Sequence, residues 1–203
     1  MNISRASGAA MTMNMLGERG IPFIFIIDFE MKTPVVIPLN EVNTGEILYN
    51  FEGFTNCEEE IPAKKNFDFR KYPVIYNDYR NAFDIVMNNL EAGNSYLLNL
   101  TSPTRIETDL SLKEIFFMSR AKYRLLYKDQ FVLFSPEIFV KISDGIISSY
   151  PMKGTIRADV LNAENKILED EKELAEHITI VDLIRNDLSI VAKNVTVKKF
   201  RYI

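Results

Sequence analysis

The stretch from residue 123 to 150 constrains the fold most strongly, because four short apolar runs follow one another there with polar turns between them. The runs occupy residues 123–127, 131–134, 138–142 and 146–150. Their length and their content of β-branched and aromatic residues predict β-strands. Asp144-Gly145 separates the last two runs, and this dipeptide favours a two-residue hairpin turn. The stretch therefore predicts successive antiparallel strands.

Periodicity and turn residues predict further elements before this stretch. Helices are expected over 4–19, 78–92 and 112–119, and strands over 23–29, 35–38, 47–54 and 95–106. The first strand is expected to be buried. Asn77 is the expected N-cap of the second helix, and Gly93 its expected C-terminal stop. Residues 55–76 lack a clear period and predict a loop or irregular crossover, in which Glu58-Glu59-Glu60 is a solvated acidic run.

A long amphipathic helix is predicted after the strands, over residues 163–191. A final strand is expected over 195–202, and it would need a partner strand. Strands clustered before a long helix favour an α+β fold with a large, mainly antiparallel sheet and flanking helices.

The composition argues against several classes of protein. The net charge is −4 and there is no basic stripe, so a nucleic-acid partner is not expected. No window approaches the ~20 apolar residues of a membrane-spanning helix. Cys57 is the single cysteine, which leaves no intramolecular disulfide and is typical of a cytoplasmic protein.

One candidate constellation combines an acid and an amine. The predicted hairpin should bring Glu137 close to Lys153, at the same end of two paired strands. A neutral lysine amine can attack carbon, and a carboxyl group can protonate a leaving hydroxyl. Gly154 would let the backbone approach a ligand closely. Spacing alone favours a simpler interpretation, a surface salt bridge beside a turn.

A second constellation lies on the long helix. Glu173 and Glu176 are three residues apart and share a helix face, so their carboxylates repel each other and attract a cation. Oxygen-only ligands suit Mg²⁺. Because the surrounding sequence is also acidic, a solvated acidic face is the more common explanation of such a pattern.

The same helix carries two further polar features. His177 is the one histidine, and a hydrogen-bonded structural role is favoured over catalysis. Asp182 and Arg185 can pair at i,i+3, either orienting a site or forming an ordinary ion-pair network.

Three stretches, in this order, resemble the chorismate-binding enzyme family. They are SYLLNLTSP at 95–103, FSPEIFVKISDGIISSYPMKGT at 134–155 and ELAEHITIVDLIRNDLS at 173–189. The family includes anthranilate synthase component I, aminodeoxychorismate synthase component I, isochorismate synthase and salicylate synthase. The opening, MNMLGERGIPFIFIIDFE at 13–30, is similar to the start of short stand-alone members. The resemblance implies part of the α/β sandwich of anthranilate synthase component I.

Lys153 decides the subfamily that the resemblance implies. Aminodeoxychorismate synthases have lysine at this position, and anthranilate synthases have alanine. In the family the lysine adds to C2 of chorismate while the C4 hydroxyl leaves, and ammonia then attacks C4 and expels the lysine. The resemblance implies that Glu137 protonates the departing hydroxyl. It also implies that Gly154 and Thr155 contact the substrate. Lys153 and Glu137 are therefore expected away from bulk water, where the amine can be neutral and the acid protonated.

The resemblance also implies a cofactor and a partner. Glu176 would ligate Mg²⁺, Glu173 would act directly or through water, and a glutamine amidotransferase subunit would supply ammonia. The product would serve p-aminobenzoate and folate synthesis.

Family members continue beyond the position of Ile203 with a histidine-containing segment, a glycine-rich segment and further Mg²⁺-binding glutamates. Residues 1–203 are therefore expected to be the N-terminal portion of a single catalytic domain, inactive alone. Two alternatives remain: anthranilate synthase component I, and a non-catalytic remnant or binding module. The nucleotide sequence after codon 203 distinguishes a truncated enzyme from a remnant.

Overall fold

The computed structural model describes residues 3–57 and 66–203, which form five α-helices and ten β-strands. The helices are α1 (Ile3–Glu18), α2 (Tyr76–Glu91), α3 (Leu112–Met118), α4 (Ala163–Glu169) and α5 (Glu171–Val191). The strands are β1 (Phe23–Ile26), β2 (Val35–Pro38), β3 (Ile47–Phe51), β4 (Phe54–Thr55), β5 (Phe69–Tyr72), β6 (Arg105–Thr108), β7 (Tyr123–Tyr127), β8 (Phe131–Ser135), β9 (Lys141–Ser143) and β10 (Ile146–Ser148). The acidic run at 58–60 lies outside the described residues.

All the described strand pairs are antiparallel, but they do not form one large sheet. The largest sheet has four strands in the order β4-β3-β7-β8. The pairs β1-β2, β5-β6 and β9-β10 form separate two-stranded sheets. The mixture of helices and antiparallel sheets agrees with the predicted α+β class. The predicted single sheet is replaced here by four small ones, because most of the strands pair only with a neighbour close in sequence.

The hairpin predicted at Asp144-Gly145 is present. Ser143 and Ile146 face each other across β9 and β10. Both turn residues have positive φ, 52° for Asp144 and 73° for Gly145. Positive φ at both central positions matches the twist of the flanking strands, and it is the reason that Asp-Gly is favoured there.

Two apolar clusters cover opposite faces of the four-stranded sheet. Ile47 and Tyr49 of β3 pack on one face with Leu125 and Ile24. Leu48, between them in sequence, packs on the other face with Leu126 and Phe116. This is the alternation of a strand that is covered on both sides. Phe116 attaches α3 to the second face.

Side chains form hydrogen bonds with the backbone at both ends of helix α3. Ser111 and Glu114 form a capping box at its start. At its end the Arg124 guanidinium donates to the carbonyls of Phe116 and Ser119, at 3.4 and 2.6 Å. These contacts satisfy helix carbonyls that have no partner within the helix.

Several predicted boundaries are wrong for local reasons. The strand predicted over 23–29 ends at Ile26, because the Asp28 carboxylate accepts hydrogen bonds from the backbone N–H groups of Lys32 and Thr33 and forms a turn. Its residues are not all buried, since Phe25 and Phe29 are exposed.

The segment from residue 66 to 110 also differs from the prediction. Strand β5 lies inside the expected loop, and only Arg105 and Ile106 of the strand predicted over 95–106 belong to a strand, β6. Asn77 is not a cap: Ile75 occupies the N-cap position of α2 without a side-chain hydrogen bond. Gly93 does follow α2 with a φ of 73°, as predicted.

The long helix predicted over 163–191 is interrupted at Asp170. That residue has extended backbone angles, and its carboxylate accepts a hydrogen bond from the Glu173 N–H at 2.9 Å. Asp170 is therefore the N-cap of a new helix, α5. No helix in the described part of the chain has the length and apolar character needed to span a membrane.

The strand predicted over 195–202 is irregular, and side chains hold it against the helices instead. His177 on α5 makes a hydrogen bond with the carbonyl of Phe200, and the two rings meet edge to face at 5.2 Å. Arg201 donates to the carbonyls of Ile167 and Leu168 near the end of α4. Without a neighbouring strand, these bonds replace the ladder that a strand would need.

Replacing Phe116 with alanine should lower the free energy of unfolding by about 3–5 kcal/mol, since the ring is only 1% exposed and lies against β3 and β7. Urea unfolding followed by circular dichroism measures the change. Phe29→Ala, at a fully exposed phenylalanine, is the matched control and should change stability by less than ~0.5 kcal/mol. Equal effects of the two substitutions would contradict the assignment of the core.

Candidate functional site

A turn at the end of β8 positions Glu137. The Ser135 hydroxyl accepts from the Glu137 N–H at 3.3 Å and donates to the Glu137 carbonyl at 2.8 Å. Beyond this turn, the Glu137 carboxylate accepts a hydrogen bond from the Met152 N–H at 2.9 Å. Residues 137 and 152 are 15 apart in sequence, so the hairpin between them brings the two segments together as predicted.

Lys153 follows the residue that donates to Glu137, and it lies at the surface. Both Lys153 and Glu137 are exposed, so the expectation that these groups are shielded from water is wrong for the described structure. Both side chains are exposed because no described element covers this end of the hairpin. The neighbouring apolar side chains are exposed for the same reason: Phe139 is 86% exposed, and Tyr150 and Met152 are exposed as well.

Gly154 joins this hairpin segment to the helices. Its φ is 74°, and a Cβ at this position would lie 2.9 Å from Oε2 of Glu173 and 3.3 Å from Cδ1 of Ile167. Glycine is required both by the backbone angle and by the close approach. The sequence predicts a ligand close to this backbone, and the structure has the Glu173 carboxylate there. Thr155 follows Gly154 and is exposed.

Glu173 and Glu176 converge on one cation, the ammonium of Lys172. The Lys172 Nζ lies 2.9 Å from Oε1 of Glu176 and 3.2 Å from Oε1 of Glu173. Hydrogen bonds with Glu176 and then Glu173 raise the pKa of Lys172 above its usual value. The carboxylate side chains are 37% and 23% exposed, whereas the lysine is 73% exposed. Lys172 was not predicted as part of the site, although its i,i+4 spacing from Glu176 is a recognisable signal.

The donor set at this position fits Mg²⁺ in part. Two carboxylates reach a common cation, and Mg²⁺ is commonly held by one or two carboxylates together with waters or substrate oxygens. Across residues 3–57 and 66–203 there is no cluster of three or more acidic, histidine or cysteine ligands. A metal here would therefore need oxygen ligands other than the two glutamates.

Three other polar residues of α5, which are His177, Asp182 and Arg185, make contacts within the protein. His177 fixes Phe200, as described above, which agrees with the favoured prediction. Asp182 and Arg185 form the predicted i,i+3 pair, with Nη2 2.6 Å from Oδ1. Both of their side chains are about half exposed, so the pair contributes little to stability.

The sequence matches a known family over most of its length. Residues 39–203 match the family described as chorismate binding enzyme. An uncharacterized PabA-like protein of Haemophilus influenzae is 49% identical over 190 residues, covering 94% of this chain and 58% of that protein. A PabA-like protein of Pasteurella multocida is 45% identical over 192 residues, covering 94% and 59%.

Matches to anthranilate synthases are shorter. Anthranilate synthase component 1 of Aquifex aeolicus is 45% identical over 69 residues, which is 32% of this chain and 14% of that protein. The chain thus spans about three fifths of the two PabA-like relatives, at 58% and 59% of their length. No solved structure is a significant match.

Replacing Gly154 with alanine should displace the Glu173 carboxylate, because the new Cβ would occupy its position. The carboxylate is the end of a flexible side chain, so it can move. The loss of stability should therefore be mainly that of the left-handed backbone, about 1–2 kcal/mol. Carboxyl carbon NMR signals of Glu173 and Glu176 measure the displacement.

Gly93→Ala is the matched control, since Gly93 has a φ of 73° and open space around its Cβ position. It should lower stability by a similar amount and leave both glutamate signals unchanged. A Glu173 signal that does not move in Gly154→Ala would show that the close approach is not maintained in solution.

Proposed function

The chain belongs to the chorismate-binding enzyme family, and from that premise we propose that it aminates chorismate at C4, as an aminodeoxychorismate synthase component I. The observation that carries the proposal is the lysine of Pro151-Met152-Lys153-Gly154-Thr155, which directly follows the residue whose N–H donates to the Glu137 carboxylate. The product would be 4-amino-4-deoxychorismate, a precursor of p-aminobenzoate and folate. A glutamine amidotransferase subunit would supply ammonia.

The proposed roles follow from the chemistry of the two side chains. The neutral amine of Lys153 attacks C2 of chorismate, and the C4 hydroxyl leaves as water with a proton from Glu137. Ammonia then attacks C4 and expels the lysine. The hydrogen bond from Met152 keeps the Glu137 carboxyl group next to the segment that carries the nucleophile. Gly154 and Thr155, the next two residues, are proposed to contact the substrate.

Glu176 is proposed as the Mg²⁺ ligand, with Glu173 acting directly or through water. A metal ion held there would offset the negative charge of the chorismate carboxylates beside an acidic helix. The support for this assignment is the convergence of the two side chains on one cation.

The exposure of Lys153 and Glu137 limits what residues 1–203 can do alone. The proposed chemistry needs an amine and a carboxyl group that are shielded from water, and both side chains are exposed in the described structure. We therefore propose that these residues are the N-terminal portion of a single catalytic domain, completed as an α/β sandwich by polypeptide that covers the exposed hairpin. The greater length of the PabA-like relatives supports this proposal.

Two other functions have specific observations in their favour. The local identity to anthranilate synthases favours anthranilate formation as the reaction. Lys153 argues against it, because anthranilate synthases have alanine at this position. The exposure of the acid and the amine favours a non-catalytic remnant or binding module, against which the joint presence of Glu137, Lys153 and Glu176 argues.

Lys153→Ala should abolish formation of aminodeoxychorismate, because no other group on this segment can form the adduct. The substitution is made in the longest polypeptide that the gene encodes, supplied with chorismate, Mg²⁺ and ammonia, and the products are identified by mass spectrometry. Without ammonia, the unsubstituted protein should carry a chorismate-derived adduct on Lys153. Lys141→Ala, at an exposed lysine of β9, is the control and should keep activity.

Release of anthranilate and pyruvate would instead identify an anthranilate synthase. Activity that survives Lys153→Ala, with no adduct in the unsubstituted protein, would refute the nucleophile.

The 203-residue chain assayed alone should produce little or no aminodeoxychorismate, because water solvates both reacting side chains. The same mass-spectrometric assay with excess ammonia measures its turnover. Turnover equal to that of the longest encoded polypeptide would show that residues 1–203 shield the site in solution, contrary to the described structure.

A further inference from the structure

We propose that Lys172 is a resident counter-cation of the Glu173–Glu176 pair, which holds the two carboxylates together and must leave when Mg²⁺ binds. The ammonium contacts one oxygen of each carboxylate, at 3.2 and 2.9 Å. It therefore takes the contacts that a metal ion bound by both glutamates would make. The inference rests on the proposed function, because the metal is part of that function.

The position of Lys172 on its helix runs against ordinary helix preferences. It is the second residue of α5, where the positive end of the helix dipole disfavours a cation. Its i,i+4 partner, Glu176, lies on the C-terminal side, which is the weaker orientation for such a pair. The conformation of the Lys172 side chain is therefore explained by its contacts with the two carboxylates. It is not explained by a contribution to the stability of the helix.

The local charge explains why a cation is needed at this position. Residues 169–176 carry five carboxylates and a single cation, which is Lys172. The Glu173 backbone N–H donates to Asp170, and the Gly154 backbone leaves little space on one side of the Glu173 carboxylate. Without the lysine, the two like charges of Glu173 and Glu176 would repel each other.

The ammonium can leave easily, since the Lys172 side chain is 73% exposed and ends a flexible stem. Each exposed ion pair is weak, so the lysine competes with a divalent cation without excluding it. Lys172 therefore weakens Mg²⁺ binding, while it keeps the carboxylates paired when no metal is present.

Titration with Mg²⁺ of the longest polypeptide that the gene encodes, treated with chelator beforehand and followed by calorimetry, tests this role. Lys172→Gln removes the competing charge and should bind Mg²⁺ roughly three- to tenfold more tightly than the unsubstituted chain, the effect of losing two exposed ion pairs. Lys172→Arg keeps the charge and should bind as the unsubstituted chain does. Lys193→Gln removes one charge beyond the other end of α5 and controls for net charge.

A double substitution assigns the gain to the glutamates. In Lys172→Gln/Glu176→Gln the tighter binding should be lost. If the unsubstituted chain binds Mg²⁺ through Glu176, but Lys172→Gln binds equally or less tightly, the counter-cation role is overturned and the metal assignment stands. If neither the unsubstituted chain nor Lys172→Gln binds Mg²⁺, both the counter-cation role and the metal assignment fail, whereas the Lys153 adduct is tested independently.

Discussion

The close approach of the Gly154 backbone to the Glu173 carboxylate joins the two halves of the candidate site. On one side, the Glu137–Met152 hydrogen bond fixes the hairpin segment that carries Lys153. On the other side, the Asp170 cap fixes the first turn of α5 and so the direction of Glu173. A side chain at residue 154 would displace the Glu173 carboxylate, so the proposed chemistry depends on a position that has none.

Charge at the start of α5 also bears on which cation the proposed metal site holds. Acidic residues in the first turn of a helix are favoured by its dipole, and Asp170, Glu171 and Glu173 follow this rule. They leave a negative region next to the place where a dianionic substrate is proposed to bind. Lys172 neutralises part of that region with protein atoms.

Features set by residues close in sequence were predicted well. The Asp144-Gly145 turn, strand β7 and the capped helix α3 depend on their own residues, and each is present. Failures came where a side chain competes with a regular element. Asp28 and Asp170 each accept backbone N–H bonds, and each ends an element whose apolar period continues. The strand expected at 195–202 failed because a strand requires a partner, which its own residues cannot specify.

Burial was the least predictable property of the site, and it bears most directly on the chemistry. The positions of Glu137 and Lys153 follow from a hairpin and one hydrogen bond, so local sequence sufficed to bring their segments together. Their access to water depends on what lies over Phe139 and Met152, and the described residues place nothing there. A lysine becomes nucleophilic through desolvation or neighbouring cations, which residues distant in sequence provide. Local sequence can thus bring these two segments together, whereas the desolvation that the proposed chemistry needs depends on residues distant in sequence.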